Sequence, residues 1–291
     1  MIRLLLLFIT TVLSASASLN VTQLSGFGVR AVSENLDPET LTWRSRVNAA
    51  GGTFETNSVA LADALIVQLK TKSYESKIKY LLPLLGSNLA AARVPLRDTL
   101  GVGIATNTNF VDANFSQATG LQGNGTSRYL DLLIKPSQLG TGSNGGIGYW
   151  EKSVSFSGTG VEPIGVYGVA ASTRFVIDLR SAVRNFRWGT ASNGAGDTTA
   201  AGNGHYYGQR SSATLRRLYF NGSTLASNTT SDAAAGTAEF NIRLLGCYTG
   251  SSTYWAGRCA VAYLTDGTLS DADAADLHTL LTDYLITPTG R

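Results

Sequence analysis

Leu215-Arg216-Arg217-Leu218-Tyr219-Phe220-Asn221-Gly222-Ser223-Thr224-Leu225 is the stretch on which the fold turns. Asn and Gly both tolerate positive φ, and the two together between alternating apolar positions signal a two-residue β-hairpin. The same texture extends outward in both directions. Short runs rich in β-branched and aromatic residues, separated by Gly, Asn, Ser and Thr clusters, predict strands at 129–135, 146–154, 164–170, 174–180, 184–189, 205–210, 215–220, 239–248 and 257–264. Many short strands without intervening helices predict an antiparallel sandwich and exclude alternating β/α units.

Helical signals lie at the two ends of this region. Asp37, Pro38 and Glu39 are an N-cap, a first-turn proline and an acidic first turn, so a helix is expected to run to about Ala50 and stop at Gly51-Gly52. Val59, Ala62, Leu65, Ile66 and Leu69 form one face of a second helix over 58–72. Ile78, Leu81, Leu82 and Leu85 repeat the helical spacing until Pro83 disturbs it. Near the C-terminus Ser270 can cap a helix, Asp271 and Asp273 suit its positive end, and Ala274, Leu277, Leu281 and Leu285 form its buried stripe. The expected organisation is an apolar leader over 1–17, a helical segment over 18–95 and a sandwich over 96–291.

Composition narrows the function classes. A hydrophobic fraction of 43%, a charged fraction of 15% and 32 glycines describe a turn-rich globular chain. A net charge of +3 over 291 residues is too small to draw the protein onto nucleic acid or an anionic membrane. Arg180, Arg184, Arg187, Arg210, Arg216 and Arg217 do crowd together, and scattered solvated strand residues account for them. Arg3, the apolar run Leu4 to Leu13 and Ala15-Ser16-Ala17 follow the order of a secretory signal, which predicts an exported protein with no membrane span in the mature chain. A retained apolar N-terminal segment is the competing reading. Cys247 and Cys259 flank an expected hairpin: they either form a disulfide or serve as two small buried hydrophobes.

Several short motifs, in order, carry a resemblance. Leu218 to Ser223, Asn241-Ile242-Arg243-Leu244-Leu245-Gly246, Ala260-Val261-Ala262-Tyr263-Leu264 and Leu269-Ser270-Asp271-Ala272-Asp273 resemble the end of concanavalin A-like and laminin-G-like jelly rolls. Upstream, Trp43 to Gly52, Asn88 to Ala92, Val94-Pro95-Leu96 and Gly120 to Leu130 look like a group of proteins met in bacteriophage genomes and in exporting bacteria. The likeness spans nearly all of 37–291. It implies a mainly β, antiparallel two-sheet jelly-roll sandwich with a short N-terminal helical segment and a C-terminal helix, borne on a virion or an extracellular surface, with glycan binding as the common activity. The helical segment over 37–85 is expected to dock or oligomerise the sandwich, as a homo-oligomer or among virion subunits. Calcium often supports such sandwiches, which makes Asn193, Asp197 and Asn203 candidate ligands, with Asx turns as the other explanation.

The search for chemistry is mostly negative. Retaining glycosidases need two carboxylates about 5 Å apart. Glu151, Glu162 and Glu239 stand far apart in sequence, Asp131 and Asp178 are isolated, and no Gly-x-Ser-x-Gly elbow occurs. Gly140 to Gly145 fits a dinucleotide motif by letter but opens no helix. The expectation is therefore a protein that is not an enzyme and has no cofactor beyond calcium. Sugars stack on aromatic rings, so Tyr206, Tyr207, Tyr254 and Trp255, which adjoin Gly- and Ser-rich turns, are the candidate glycan platform, with His205 beside them. Trp150 and Trp188 are assigned to the core, and His278 to the surface or packing of the last helix. A non-catalytic recognition or structural module that binds glycan is the leading reading; a polysaccharide-acting glycosidase and a purely architectural coat or decoration protein are the alternatives.

Overall fold

Asn221 and Gly222 carry φ of 49° and 78°, the paired positive values of a two-residue turn, and Phe220 pairs with Ser223 across it. The computed structural model describes residues 35–139, 144–153, 162–167, 173–180, 183–190, 194–230, 240–247 and 253–291. The leader over 1–17, Asn193 and most of the Gly140 to Gly145 loop lie outside the described residues. Asp37–Arg291 forms one compact unit.

Eighteen strands are described: β1 (Ile78–Leu82), β2 (Arg97–Asp98), β3 (Thr106–Thr108), β4 (Phe115–Ser116), β5 (Gly120–Gln122), β6 (Tyr129–Asp131), β7 (Gly145–Ser153), β8 (Ile164–Tyr167), β9 (Thr173–Arg180), β10 (Val183–Thr190), β11 (Ala195–Asp197), β12 (Gly204–Ser212), β13 (Leu215–Phe220), β14 (Ser223–Asn228), β15 (Arg243–Leu244), β16 (Gly246–Cys247), β17 (Thr253–Tyr254) and β18 (Arg258–Asp266). One sheet of nine runs β14-β13-β12-β7-β18-β1-β2, with β5 beside β18 and β4 beside β5. A sheet of seven runs β11-β10-β9-β8-β15-β6-β3, and β16 and β17 form a separate ribbon. The described pairings are antiparallel. The expected β-sandwich is therefore present.

The core lies in two layers. Between the sheets pack Tyr80, Ile147, Tyr149, Phe175, Ile177, Phe186, Trp188, Tyr206, Leu218 and Leu264 among others. Their strand neighbours Trp150, Tyr207, Tyr219, Val261 and Tyr263 face the opposite side of the nine-stranded sheet, as strand alternation requires. That second face is roofed by α1 (Pro38–Ala49), α2 (Ser58–Leu69), a single turn α3 (Leu89–Ala92) and α4 (Asp271–Leu281). Asp37 accepts a bond from the Glu39 amide at 2.9 Å and so caps α1. A reciprocal Ser270–Asp273 capping box opens α4. Ala274, Leu277, Leu281 and Leu285 are all buried, as the sequence predicts.

Two close approaches require glycine. Tyr207 and Tyr263 stack at 5.7 Å across Gly148, where a Cβ would sit 2.0 Å from the Tyr263 ring. At Gly222 a Cβ would lie 2.9 Å from the Ala275 backbone, so the hairpin turn seats α4.

Two sequence expectations are corrected, and one open pair of readings is decided. Ile78–Leu82, expected to be helical, is a strand between β18 and β2. It contributes Tyr80 and Leu82 to one core layer and Ile78 and Leu81 to the other, so the segment expected to be purely helical enters the sandwich. Of the two readings of Cys247 and Cys259, the pair of small buried hydrophobes holds: both are buried as free thiols. The strands expected to bring them together belong to different sheets: Cys247 packs with Tyr167 and Val176, whereas Cys259 lies in the main core. The arginine cluster is not solvated throughout: Arg210 and Arg216 are fully buried and both donate to the Trp188 carbonyl, at 2.9 and 3.0 Å.

Candidate ligand-binding groove

Alternation along β7 places Trp150 and Lys152 on the helix-covered face, and β12 brings His205 alongside, paired with Trp150. His278 is delivered by α4. The three rings are close to parallel: Trp150 lies 5.4 Å from His205 and 5.3 Å from His278, and the two imidazoles are 5.5 Å apart. His205 is buried, with Nε2 2.7 Å from the Tyr263 hydroxyl. Its Nδ1 and that of His278 are buried without a hydrogen-bond partner. Burial, then the nearby His278, pulls the His205 pKa down to about 3, and burial also lowers that of His278. Both rings are therefore neutral at physiological pH.

Beside this stack opens a groove of about 270 Å³, lined by Trp150, Glu151, Lys152, Asn203, Gly204, Asn221, His278, Thr282, Ile286 and Arg291. Asn221 is fixed by its own turn: its Oδ1 accepts the His205 amide at 2.9 Å. Thr282 follows His278 by one helical turn and donates to the His278 carbonyl at 2.8 Å. Arg291 is buried, its guanidinium donating to the carbonyls of Pro83 at 2.9 Å and Ala260 at 2.6 Å, and also to those of Leu84 and Gln117. Burial lowers its pKa to about 9, which leaves it charged at neutral pH. An aromatic wall, two carboxamides, a hydroxyl and two cations thus meet at the ends of the central strands β7 and β12 of the nine-stranded sheet.

The expected platform residues disperse. Tyr206 lies in the core between the sheets, its hydroxyl exchanging bonds with Gly202 at 2.9 and 2.7 Å. Tyr207 is buried under the helices. Trp255 is buried and donates through Nε1 to Glu151 at 2.7 Å. A sugar cannot stack on these three. His205 backs the groove without lining it. Tyr254 alone is half-buried, on the seven-stranded side, 6.4 Å from Tyr129, over which Arg243 lies at 4.1 Å. Of the calcium candidates, Asp197 is engaged by Arg184 at 2.5 and 3.0 Å, and Asn203 is in the groove. Among the described residues no cluster of three metal-ligating side chains occurs.

Of the carboxylates noted in the sequence, Glu239 lies outside the described residues, Asp131 accepts the Leu133 amide at 2.8 Å, and the other three are engaged as well. Glu151 accepts the Tyr149 hydroxyl at 2.6 Å and the Arg258 amide at 3.0 Å as well as the Trp255 indole. Glu162 accepts Tyr167 and, at 2.9 Å, Thr253; Asp178 is buried 3.4 Å from Arg187. Lys152, Thr282 and Arg291 were missed by sequence reasoning. Two signals could have found part of the set: Lys152 stands two residues from Trp150 on one strand face, and Thr282 four residues from His278 on one helix face.

No protein-family model matches the chain, and no curated protein matches it in sequence. Solved structures do match. A mutant of Trypanosoma rangeli sialidase displaying trans-sialidase activity aligns with 84% of this chain and 38% of its own, at TM-score 0.53 and 12% identity. The same sialidase in complex with sialic acid aligns with 70% of this chain and 33% of its own, at TM-score 0.50 and 13% identity. Domain 4 of AbnA, a GH43 extracellular arabinanase from Geobacillus stearothermophilus in complex with arabinotriose, aligns with 69% of this chain and 98% of that domain, at TM-score 0.47 and 14% identity. The chain is a β-sandwich of the kind found in these proteins. It spans about a third of the sialidase length. This corrects the expectation that the protein is not an enzyme: glycoside hydrolases are among the structures that share its fold, so a non-catalytic role does not follow from the sandwich.

Proposed function

We propose that the protein recognises carbohydrate, and that the groove beside Trp150 and His278 holds the sugar. The observation that carries this reading is the composition of the groove. Asn221 offers its Nδ2 hydrogens and Thr282 its hydroxyl lone pairs, with the Asn203 amide beside them, which suits vicinal hydroxyls, against a Trp150 and His278 wall that suits the C–H face of a ring. Its volume of about 270 Å³ suits one sugar residue better than a long apolar ligand. The similar sialidase structure in complex with sialic acid supports the same class of ligand. The leader-like residues 3–17 and the resemblance to phage and exported jelly rolls support a setting outside the cytoplasm, on a virion or a cell surface.

A glycan array followed by calorimetric titration of the best hits tests the proposal. Wild-type protein is expected to bind saturably, and Asn203→Leu, which removes an amide from the groove, to weaken binding at least tenfold with the fold unchanged. Absence of binding across the array, or equal affinity in the variant, rejects it.

A further inference from the structure

We infer that the sugar taken in this groove is acidic, with its carboxylate set against Lys152 and Arg291. The inference rests on the carbohydrate reading and adds the ligand's charge. Arg291 is held by main-chain carbonyls, which satisfy its N–H groups but supply no counter-charge. Lys152 makes no ion pair among the described residues. The two cations act on each other instead: burial, then the Arg291 charge, lowers the Lys152 pKa.

Nearby acids are directed elsewhere. Glu151 lines the groove, but its carboxylate is engaged by the Tyr149 hydroxyl, the Trp255 indole and the Arg258 amide. Asp283 is exposed and its field bears on His278. Two like charges facing one groove make its potential positive, and a bound carboxylate relieves their repulsion while gaining charge-assisted hydrogen bonds from the Lys152 ammonium. Lys152 is half-buried and able to swing onto a ligand; Arg291 is fixed and acts through its field.

The test compares matched glycans: oligosaccharides ending in glucuronate, galacturonate or sialate against the same chains without the acidic residue. Wild-type protein is expected to favour the acidic member at least tenfold. Lys152→Met is expected to reduce that preference to within twofold, and Lys152→Arg to restore it. Raising the salt concentration is expected to erode the preference. Neutral glycans bound as tightly as acidic ones, or a preference unchanged in Lys152→Met, overturn the inference and leave carbohydrate recognition standing. No glycan bound at all overturns both.

Discussion

The two sheets present opposite chemistry on their outer faces. On the nine-stranded sheet, the residues pointing away from the inter-sheet core are Trp150, Tyr207, Tyr219, Val261 and Tyr263, and helices cover them. On the seven-stranded sheet the corresponding positions hold Arg174, Asp178, Asn185, Arg187 and Arg243 with Tyr129 and Tyr167. There the charges are paired within the face: Arg187 with Asp178 at 3.4 Å, Arg174 over Tyr167 at 4.5 Å, and Arg243 over Tyr129 at 4.1 Å. Strand alternation is common to both sheets, so the identity of every second residue decides which face takes a helical layer. The groove opens between the ends of β7 and β12 and the C-terminal helical segment that carries His278 and Thr282.

The largest effect should come from the helical layer itself. Trp43 on α1 is fully buried and donates through Nε1 to the Val94 carbonyl at 3.2 Å. Trp43→Ala is expected to destabilise the protein by about 3–5 kcal/mol, the range for deleting a large buried aromatic side chain. Urea unfolding measures it. A loss below about 1 kcal/mol would break the comparison, because the helices would then be an accessory and not a part of the core.

Acid should act through the covered face. With a folded-state pKa of about 3 against an unfolded value of 6.5, His205 binds a proton more readily in the unfolded chain. Stability is therefore complete above about pH 6.5 and declines as the pH falls toward 3. At pH 5 the loss is about 2 kcal/mol, and the lowered pKa of His278 adds in the same direction. Unfolding free energy measured from pH 7.5 to 4.5 checks this, with His205→Phe expected to flatten most of the slope. An unchanged slope in that variant would show that the buried imidazole is not the responsible group.

Local features of this architecture were legible in the sequence, and long-range ones were not. The Asn221-Gly222 turn, the Asp37 and Ser270 caps and the strand positions around 146–154, 205–210 and 257–264 each depend on a few adjacent residues. Ile78–Leu82 misled because both its faces are buried: a central strand lined on both sides shows an unbroken apolar run, which also fits helical spacing. The cysteines left two readings open because adjacency in sequence order does not reveal which sheet a strand joins. The aromatic residues beside turns misled for a related reason, since Tyr206, Tyr207 and Trp255 sit near Gly-rich segments yet point into packed layers. The groove draws on positions 150, 203, 221, 278 and 291, which only the folded chain brings together.

The smallest effect concerns the one platform residue that stayed near the surface. Tyr254 is half-buried, and its tilted contact with Tyr129 at 6.4 Å is near the long end of useful ring geometry. Tyr254→Ala is expected to cost less than about 1 kcal/mol in urea unfolding. Because Tyr254 lies on the seven-stranded side and lines no part of the groove, the same variant should leave glycan affinity within twofold of wild type. A larger loss of binding in Tyr254→Ala than in Asn203→Leu would move the ligand to the opposite side of the sandwich. The Tyr129, Tyr254 and Arg243 group would then be the recognition surface, and the groove beside Trp150 only a gap at the edge of the helical roof.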